Sequence, residues 1–476
     1  MMTDMTRREF LGKASAAGAM AAFGGCAGVG ETRGARWYRG MLHMHTLWSD
    51  GRALPEQAVA AYKDAGYDFI SISDHNRFGV DPDRWMDVED WTGKKWPPKT
   101  VHPAVAAAYR KRFPDARVRT KDGKEQIRLM PYDELKRKFE ERGKFLLLPG
   151  VELTCDMSTG KSDIRNIHMN VIGLGDIIER AKKAPLVERL PNQTIASAIR
   201  ESRELCDELA RKRGERYLFM VDHPSWLYMD VTAEDIIANP EVRFFEVRNN
   251  GAEWPLPDGV GLDRERDGWY EDVLWDVVLA HRAAKGGQLL YGFGSDDAHF
   301  YPGDGNPDCS GWGNAYIMVR AKELTPEALM DAIFRNDFYA SCGVDLEDVA
   351  FDRSRGELSV AVPAKPGVSY KIRFIVTKRG TPVEPVKYVE IPPTPAHFNR
   401  GWTVPTYDKR VGETAKLVEG RPGEAVRASY RLGKDDLYVR ARVESDEAPV
   451  YKKKFQGHPH VKVAWTQPFA GVEEMT

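Results

Sequence analysis

The chain has 476 residues, a net charge of -2 and a pI near 6.6. That is too long for one ordinary domain, and two or three is the natural expectation. The charge balance leaves no basic footprint for nucleic acid, and 12 tryptophans with 10% aromatic residues exclude a disordered chain.

Residues 1–30 differ from the rest. "TRREFLGKASAAGAMAAFGGCAG" pairs Arg7 with Arg8 ahead of a mild run rich in alanine and glycine, ending at Cys26. It is too short and too weakly apolar to span a bilayer. It resembles a twin-arginine export signal rather than an amphipathic N-terminal helix, and "FGGC" loosely resembles a lipoprotein processing site. The expectation is a periplasmic or extracellular protein, held at a membrane only through the signal or a lipid on Cys26. The other cysteines, Cys155, Cys206, Cys309 and Cys342, form no C-x-x-C pair. Any metal should therefore be held by nitrogen and oxygen, and disulfide pairing is not legible.

From residue 37 to about 344 short apolar runs alternate with helical segments. A strand over 38–45 would point His43 and His45 of "MLHMHTLWSDG" to one side. "PEQAVAAYKDAG" predicts a helix from Pro55 that stops at Gly66, and "YDFISISD" the next strand. Residues 76–143 are polar and charged, with Trp85, Trp91 and Trp96 and a helix at "PYDELKRKFEERG". Such a length is an insertion, either a lid over a site or a satellite subdomain. Strands follow over 144–153, 166–174, 216–224, 243–250, 289–299 and 314–320. "WYEDVLWDVVLAHRAAKGG" and "TPEALMDAIFRND" are helical, the latter with Thr325 as cap and Pro326 in the first turn. Eight strands alternating with helices predict a parallel β/α barrel or a doubly wound sheet. Residues 346–476 alternate at period two without helices, which predicts a β-sandwich.

The metal-competent residues fall at predicted strand ends. They are His43, His45 and Asp50, then His75 after Asp74, Glu152, His168, His223, and Asp297 with His299. Six of the eleven histidines are among them. In a barrel those ends converge, and carboxylates gathered so closely would repel without a cation. Imidazole and carboxylate donors suit zinc, manganese or iron.

The order H-x-H, S-D-G, D-H, G-V-E, H, H-P, S-D-x-H over residues 37–344 resembles the PHP family, the polymerase and histidinol phosphatase domain. The resemblance implies a distorted (β/α)7 barrel with a trinuclear centre, hence three divalent metal ions. His43, His45, Glu152 and Asp297 would bind one metal, and Glu152 would bridge to a second completed by His168 and His223. Asp50, His75 and His299 would hold the third. "GSDDAH" offers two adjacent aspartates, of which Asp297 rather than Asp296 is taken as the ligand. The implied activity is hydrolysis of a small phosphate ester by a hydroxide bridged at Glu152, with Asp50 and His75 completing the catalytic set. Arg77 and Arg248 would clamp the anion. Two alternatives stand beside it: a carbamate, ester or amide hydrolase, and a non-catalytic metal-binding envelope protein. Oligomeric state is not legible.

Overall fold

The computed structural model describes residues 34–91, 99–158, 164–175, 194–226, 231–250, 270–301, 312–392, 402–448 and 461–470. Arg7, Arg8, Cys26, Trp96 and Cys309 lie outside them.

Among the described residues the protein is mixed α/β, with seven helices and a sheet of fourteen strands. β1 (Arg36–Met41) leads through α1 (Pro55–Asp64) to β2 (Phe69–Ile72). The inserted segment contributes β3 (Trp85–Asp87), α2 (Pro103–Arg112), β4 (Val118–Lys121), β5 (Lys124–Arg128) and α3 (Tyr132–Phe139). Next come β6 (Leu146–Ser158), β7 (Ile164–Ile172), α4 (Ile195–Arg213), β8 (Leu218–Val221), α5 (Ala233–Ile237) and β9 (Phe244–Asn249). α6 (Tyr270–Ala283), β10 (Tyr291–Ser295), β11 (Tyr316–Ala321), α7 (Pro326–Phe334) and β12 (Phe338–Ser341) follow. α1 and α7 start where the sequence placed them, while α2, α4 and α5 were not read from it. Pro55 and Pro326 open theirs, and the Thr325 hydroxyl accepts the Ala328 N–H at 3.2 Å.

The sheet order from one edge is β10, β9, β8, β7, β6, β2, β1, β11, β12. β1, β2 and β6 are mutually parallel, as are β8, β9 and β10. β7 runs against both neighbours, and β11 runs against β1. The expectation of eight parallel strands is thus corrected at two places. β11 pairs on the outer side of β1, and β12 adds a further antiparallel strand that the sequence reading did not name. The edges of the seven-strand run from β1 to β10 meet just beyond their ends. Met44 bridges Ala298, the His45 N–H donates to the Ala298 carbonyl at 2.9 Å, and the Asp297 N–H to that of His43 at 3.0 Å.

Beyond β12 the strands are β13 (Asp348–Asp352), β14 (Glu357–Val362), β15 (Tyr370–Lys378), β16 (Lys387–Ile391), β17 (Trp402–Thr406) and β18 (Glu413–Glu419). β19 (Val426–Arg431), β20 (Asp436–Ser445), β21 (Val463–Thr466) and β22 (Phe469–Ala470) complete the set. β21 pairs with β12, and β20, β15 and β18 continue from it, so one sheet runs across residues 344–346. β13, β14 and β19 form a separate sheet. Val349, Leu358 and Val360 from it share an apolar cluster with Ile372, Phe374 and Val443 of the long sheet. Each such side chain, fully buried, contributes roughly 1.5–3 kcal/mol.

Among the described residues the inserted segment has no core to itself. Phe78, Tyr109, Ile127 and Leu135 join Trp48, Leu54, Val59 and Tyr62 in a single buried cluster. The Tyr132 hydroxyl donates to the Leu147 carbonyl at 2.8 Å. Trp85 carries the Arg119 guanidinium 4.0 Å from its ring, and Trp91 lies edge-on to His102 at 4.8 Å. His102 itself caps α2 by accepting the Ala104 N–H.

Candidate metal centre

β1 ends at Met41, four residues short of the predicted strand, yet the backbone stays extended enough for Met44 to bridge Ala298. His43 and His45 still point the same way, and their Nε2 atoms are 3.2 Å apart. The "SDG" turn then brings Asp50 back to them. Gly51 is required there, because a Cβ would lie 2.5 Å from the His45 carbonyl carbon. Asp74 holds the turn. It accepts the Thr46 and Ser49 N–H groups at 2.8 and 3.1 Å and the Thr46 hydroxyl at 2.7 Å.

Glu152 lies in the middle of β6, which runs on to Ser158, at the point where His75 bridges it. His168 reaches the same place from the middle of β7, which runs in the reverse direction. The expectation that every donor comes from a C-terminal strand end is corrected there. His223 and Asp297 follow β8 and β10 and have φ of +24° and +48°. Such a conformation costs on the order of 1–3 kcal/mol in a non-glycine residue and persists where surrounding bonds fix it. Here they do: the His223 N–H donates to Glu246 at 2.8 Å, and the Asp297 N–H to His43.

All nine sequence-predicted donors come together. Glu152 Oε2 lies 3.3 Å from His43 Nε2 and 3.1 Å from His45 Nε2. Asp297 Oδ1 lies 3.3 and 2.9 Å from the same two nitrogens. Donors around a tetrahedral ion at 2.0–2.1 Å stand about 3.3 Å apart, close to these separations; His43, His45 and Asp297 form one candidate group, and His43, Glu152 and His223 another. On the other side, Glu152 Oε1 is 2.7 Å from His168 Nδ1 and 3.4 Å from His223 Nε2. Asp50 Oδ1 is 3.3 Å from His299 Nε2, and its Oδ2 is 3.6 Å from His75 Nε2. Several groups of three or four of these donors could each hold an ion.

A further observation fits a cation. Glu152 Oε2, Asp297 Oδ1 and His168 Nε2 are buried without a hydrogen-bond partner, although other donors crowd around them. Buried polar atoms of this kind call for a partner, and a bound ion would supply one. The electrostatics agree. Burial and His299 oppose a charge on His45, but Asp297 and Glu152 still raise it to about 9. Burial likewise opposes a charge on His299, which Asp50 nonetheless lifts to about 9. Burial instead drives His168 down to about 4. The cluster thus attracts positive charge, and metal binding would displace protons from His45 and His299.

One residue was missed. Glu246, fully buried on β9, accepts from His43 Nδ1 at 2.7 Å and from Asn249 Nδ2 at 2.8 Å. A carboxylate behind a ligand histidine fixes its tautomer and orientation. The signal lay in "RFFEVRNN": an acid inside an apolar strand needs a partner. Asp222, also buried, stands close enough to form a group with His43 and Glu246. Asp296 faces away from the centre, accepting the Asn314 and Ala315 N–H groups at 2.9 and 2.7 Å and the Tyr62 hydroxyl at 2.9 Å. Of the two arginines, Arg248 is buried on β9 with its Nε on Asn250 Oδ1 at 2.9 Å, and Arg77 is partly exposed two residues after His75.

Together these features define a mixed α/β protein with a buried imidazole and carboxylate centre that could hold metal ions. No protein-family model matches the chain, and no curated protein does. Solved structures similar to it include two bacterial proteins. One, from Bacteroides vulgatus, is described as a two-domain protein "containing predicted PHP-like metal-dependent phosphoesterase". It is 15% identical, with 90% of this chain and 96% of that chain covered and a TM-score of 0.36. The other, from Bifidobacterium adolescentis, is described as a "putative metal-dependent phosphoesterase". It is 14% identical, with 62% of this chain and 96% of that chain covered and a TM-score of 0.29. At those values the likeness says nothing of activity.

Proposed function

We propose that the chain is a metal-dependent hydrolase of small phosphate esters. In this reading β1, β2, β6, β7, β8, β9 and β10 close a distorted barrel, followed by a β-sandwich. Its centre takes three divalent ions. His43, His45, Glu152 and Asp297 hold one, Glu152 with His168 and His223 a second, and Asp50 with His75 and His299 a third. The observation that carries the reading is the convergence of nine donors around carboxylate oxygens that have no hydrogen-bond partner.

Divalent metals would supply Lewis acidity and lower the pKa of a water towards neutrality. The chain's own residues do the rest. Glu152 presents one oxygen to each side of the centre and so sets the spacing of the two halves. Glu246 keeps His43 Nδ1 protonated, which leaves Nε2 as the donor. Asp50, His75 and His299 form the more exposed side of the centre, where substrate would enter. Arg248 and Arg77 offer positive charge for the phosphoryl oxygens.

The test is elemental analysis together with a hydrolysis panel of aryl phosphate monoesters, phosphodiesters and aryl esters. The expected result is close to three equivalents of metal and preferential cleavage of phosphate esters. Glu152→Ala should lose paired metal occupancy and at least a hundredfold in rate. Less than one equivalent in reloaded wild type, or full metal and activity in Glu152→Ala, would overturn the assignment.

A further inference from the structure

Ligand rings run in contact from the open side of the centre to a tryptophan. His75 and His168 have centroids 5.1 Å apart, and His168 lies 4.7 Å from the ring of Trp226. Trp226 also lies 5.2 Å from His223. Among the described tryptophans it alone has ring contacts with the proposed ligands. It is partly exposed, whereas His168 and His223 beneath it are buried. Its position is fixed. The Trp226 N–H closes a turn on the His223 carbonyl at 2.9 Å, and the Ser225 N–H donates to the buried Glu271 at 3.2 Å. A large indole surface left partly open beside a polar centre is costly in water, and a flat apolar group would cover it favourably. Trp85 and Trp91 of the inserted segment contact Arg119 and His102 instead, which leaves Trp226 as the aromatic wall next to the donors.

We propose that Trp226 receives a planar aromatic group on the leaving-group side of the substrate, so that the favoured esters carry a ring. This rests on the phosphoesterase reading for the chemistry, but not for the binding. Stacking on an indole serves a phenol and a nucleobase alike. It is worth about a tenfold gain in affinity over a ringless counterpart.

The experiment titrates full-length protein reloaded with manganese with phenylphosphonate and with methylphosphonate, by calorimetry. Wild type should bind phenylphosphonate about tenfold more tightly. Trp226→Leu keeps apolar bulk against His168 and His223, so it should retain metal content and methylphosphonate affinity while erasing the phenyl preference. Trp226→Phe should restore most of it. Absence of a preference in wild type, absence of binding of either phosphonate, or a preference that survives in Trp226→Leu would overturn the proposal. So would a Trp226→Leu protein that loses its metal, since the indole would then merely support the ligand rings. Comparing the loss on phenyl phosphate with that on adenosine monophosphate tells which ring is preferred. If wild type shows the phenyl preference yet cleaves no phosphate ester, the phosphoesterase reading fails and the role of Trp226 stands.

Discussion

Replacing Arg440 by Met should destabilise the protein more than most single changes at its metal centre. Arg440 is fully buried on β20, with Nε and Nη2 on the two oxygens of Asp276 at 2.8 and 2.7 Å, and Nη1 2.9 Å from Asp272. Both acids belong to α6. Tyr438 donates to Asp276 at 2.7 Å, and Arg442 lies 3.2 Å from Asp272. Removing one partner of a buried pair costs about 3–5 kcal/mol, because the remaining charge stays in low dielectric. Asp272 keeps Arg442 and the Trp465 indole N–H, so most of the cost falls on Asp276. Against the roughly 5–15 kcal/mol of an ordinary domain, that is about a fifth of the total or more. Urea titrations followed by fluorescence should show a lower midpoint at an unchanged slope. Converting Asp276 to Leu in the same protein should recover at least about 1 kcal/mol, since a buried pair can be exchanged for apolar side chains at little cost. A loss below about 1 kcal/mol for Arg440→Met, or no recovery in the double variant, would refute the reasoning.

Burial raises the Glu56 carboxyl to about 7, while Tyr109 hydrogen-bonds it and only partly offsets that rise. The folded state therefore holds a proton that the unfolded state gives up. Stability should be full below about pH 4.5 and fall as pH rises to about 7. Glu56→Gln should match wild type near pH 4 and exceed it by about 3 kcal/mol at pH 8; equal pH profiles in denaturation would count against this. Glu246→Gln should weaken metal binding about 10–100-fold in chelator competition without unfolding the protein, and unchanged affinity would show that His43 does not need its carboxylate. Changing Arg7 and Arg8 together to Lys should block export and retain the chain in the cytoplasm, read by fractionation; export at the wild-type level would remove the signal assignment.

Most donors were legible because they sit in short motifs near the close of an apolar run, where a side chain leaves the core for a shared face; Glu152 and His168 lie within their strands instead. Strand direction was not. The pattern of 166–174 has the same period whichever way it runs, so the reversal of β7 left no trace in it. Glu246 was read as part of a strand, although one acid among Phe244, Phe245 and Val247 was a usable sign. Arg440 and Arg442 alternate with apolar residues in "DLYVRARVES", which reads as a solvent face. They are buried because α6 supplies acids at Asp272 and Asp276, and that complementarity lies about 170 residues away, beyond any local pattern. The choice of Asp297 over Asp296 came from the resemblance alone. The geometry places Asp296 on backbone amides and Asp297 among imidazoles.

The pairing of β21 with β12 bears on the order in which the molecule can assemble. About 120 residues separate the two strands, and at about 5–20 residues per second their synthesis takes about 6 to 25 s. Throughout that interval β12, already paired with β11, presents its other edge unmatched, with Asp272 and Asp276 awaiting Arg440. An open edge beside uncompensated acids invites pairing with a neighbouring nascent chain. A slowed codon tract between the two strands should therefore lower the protein's soluble yield more than one placed before β12.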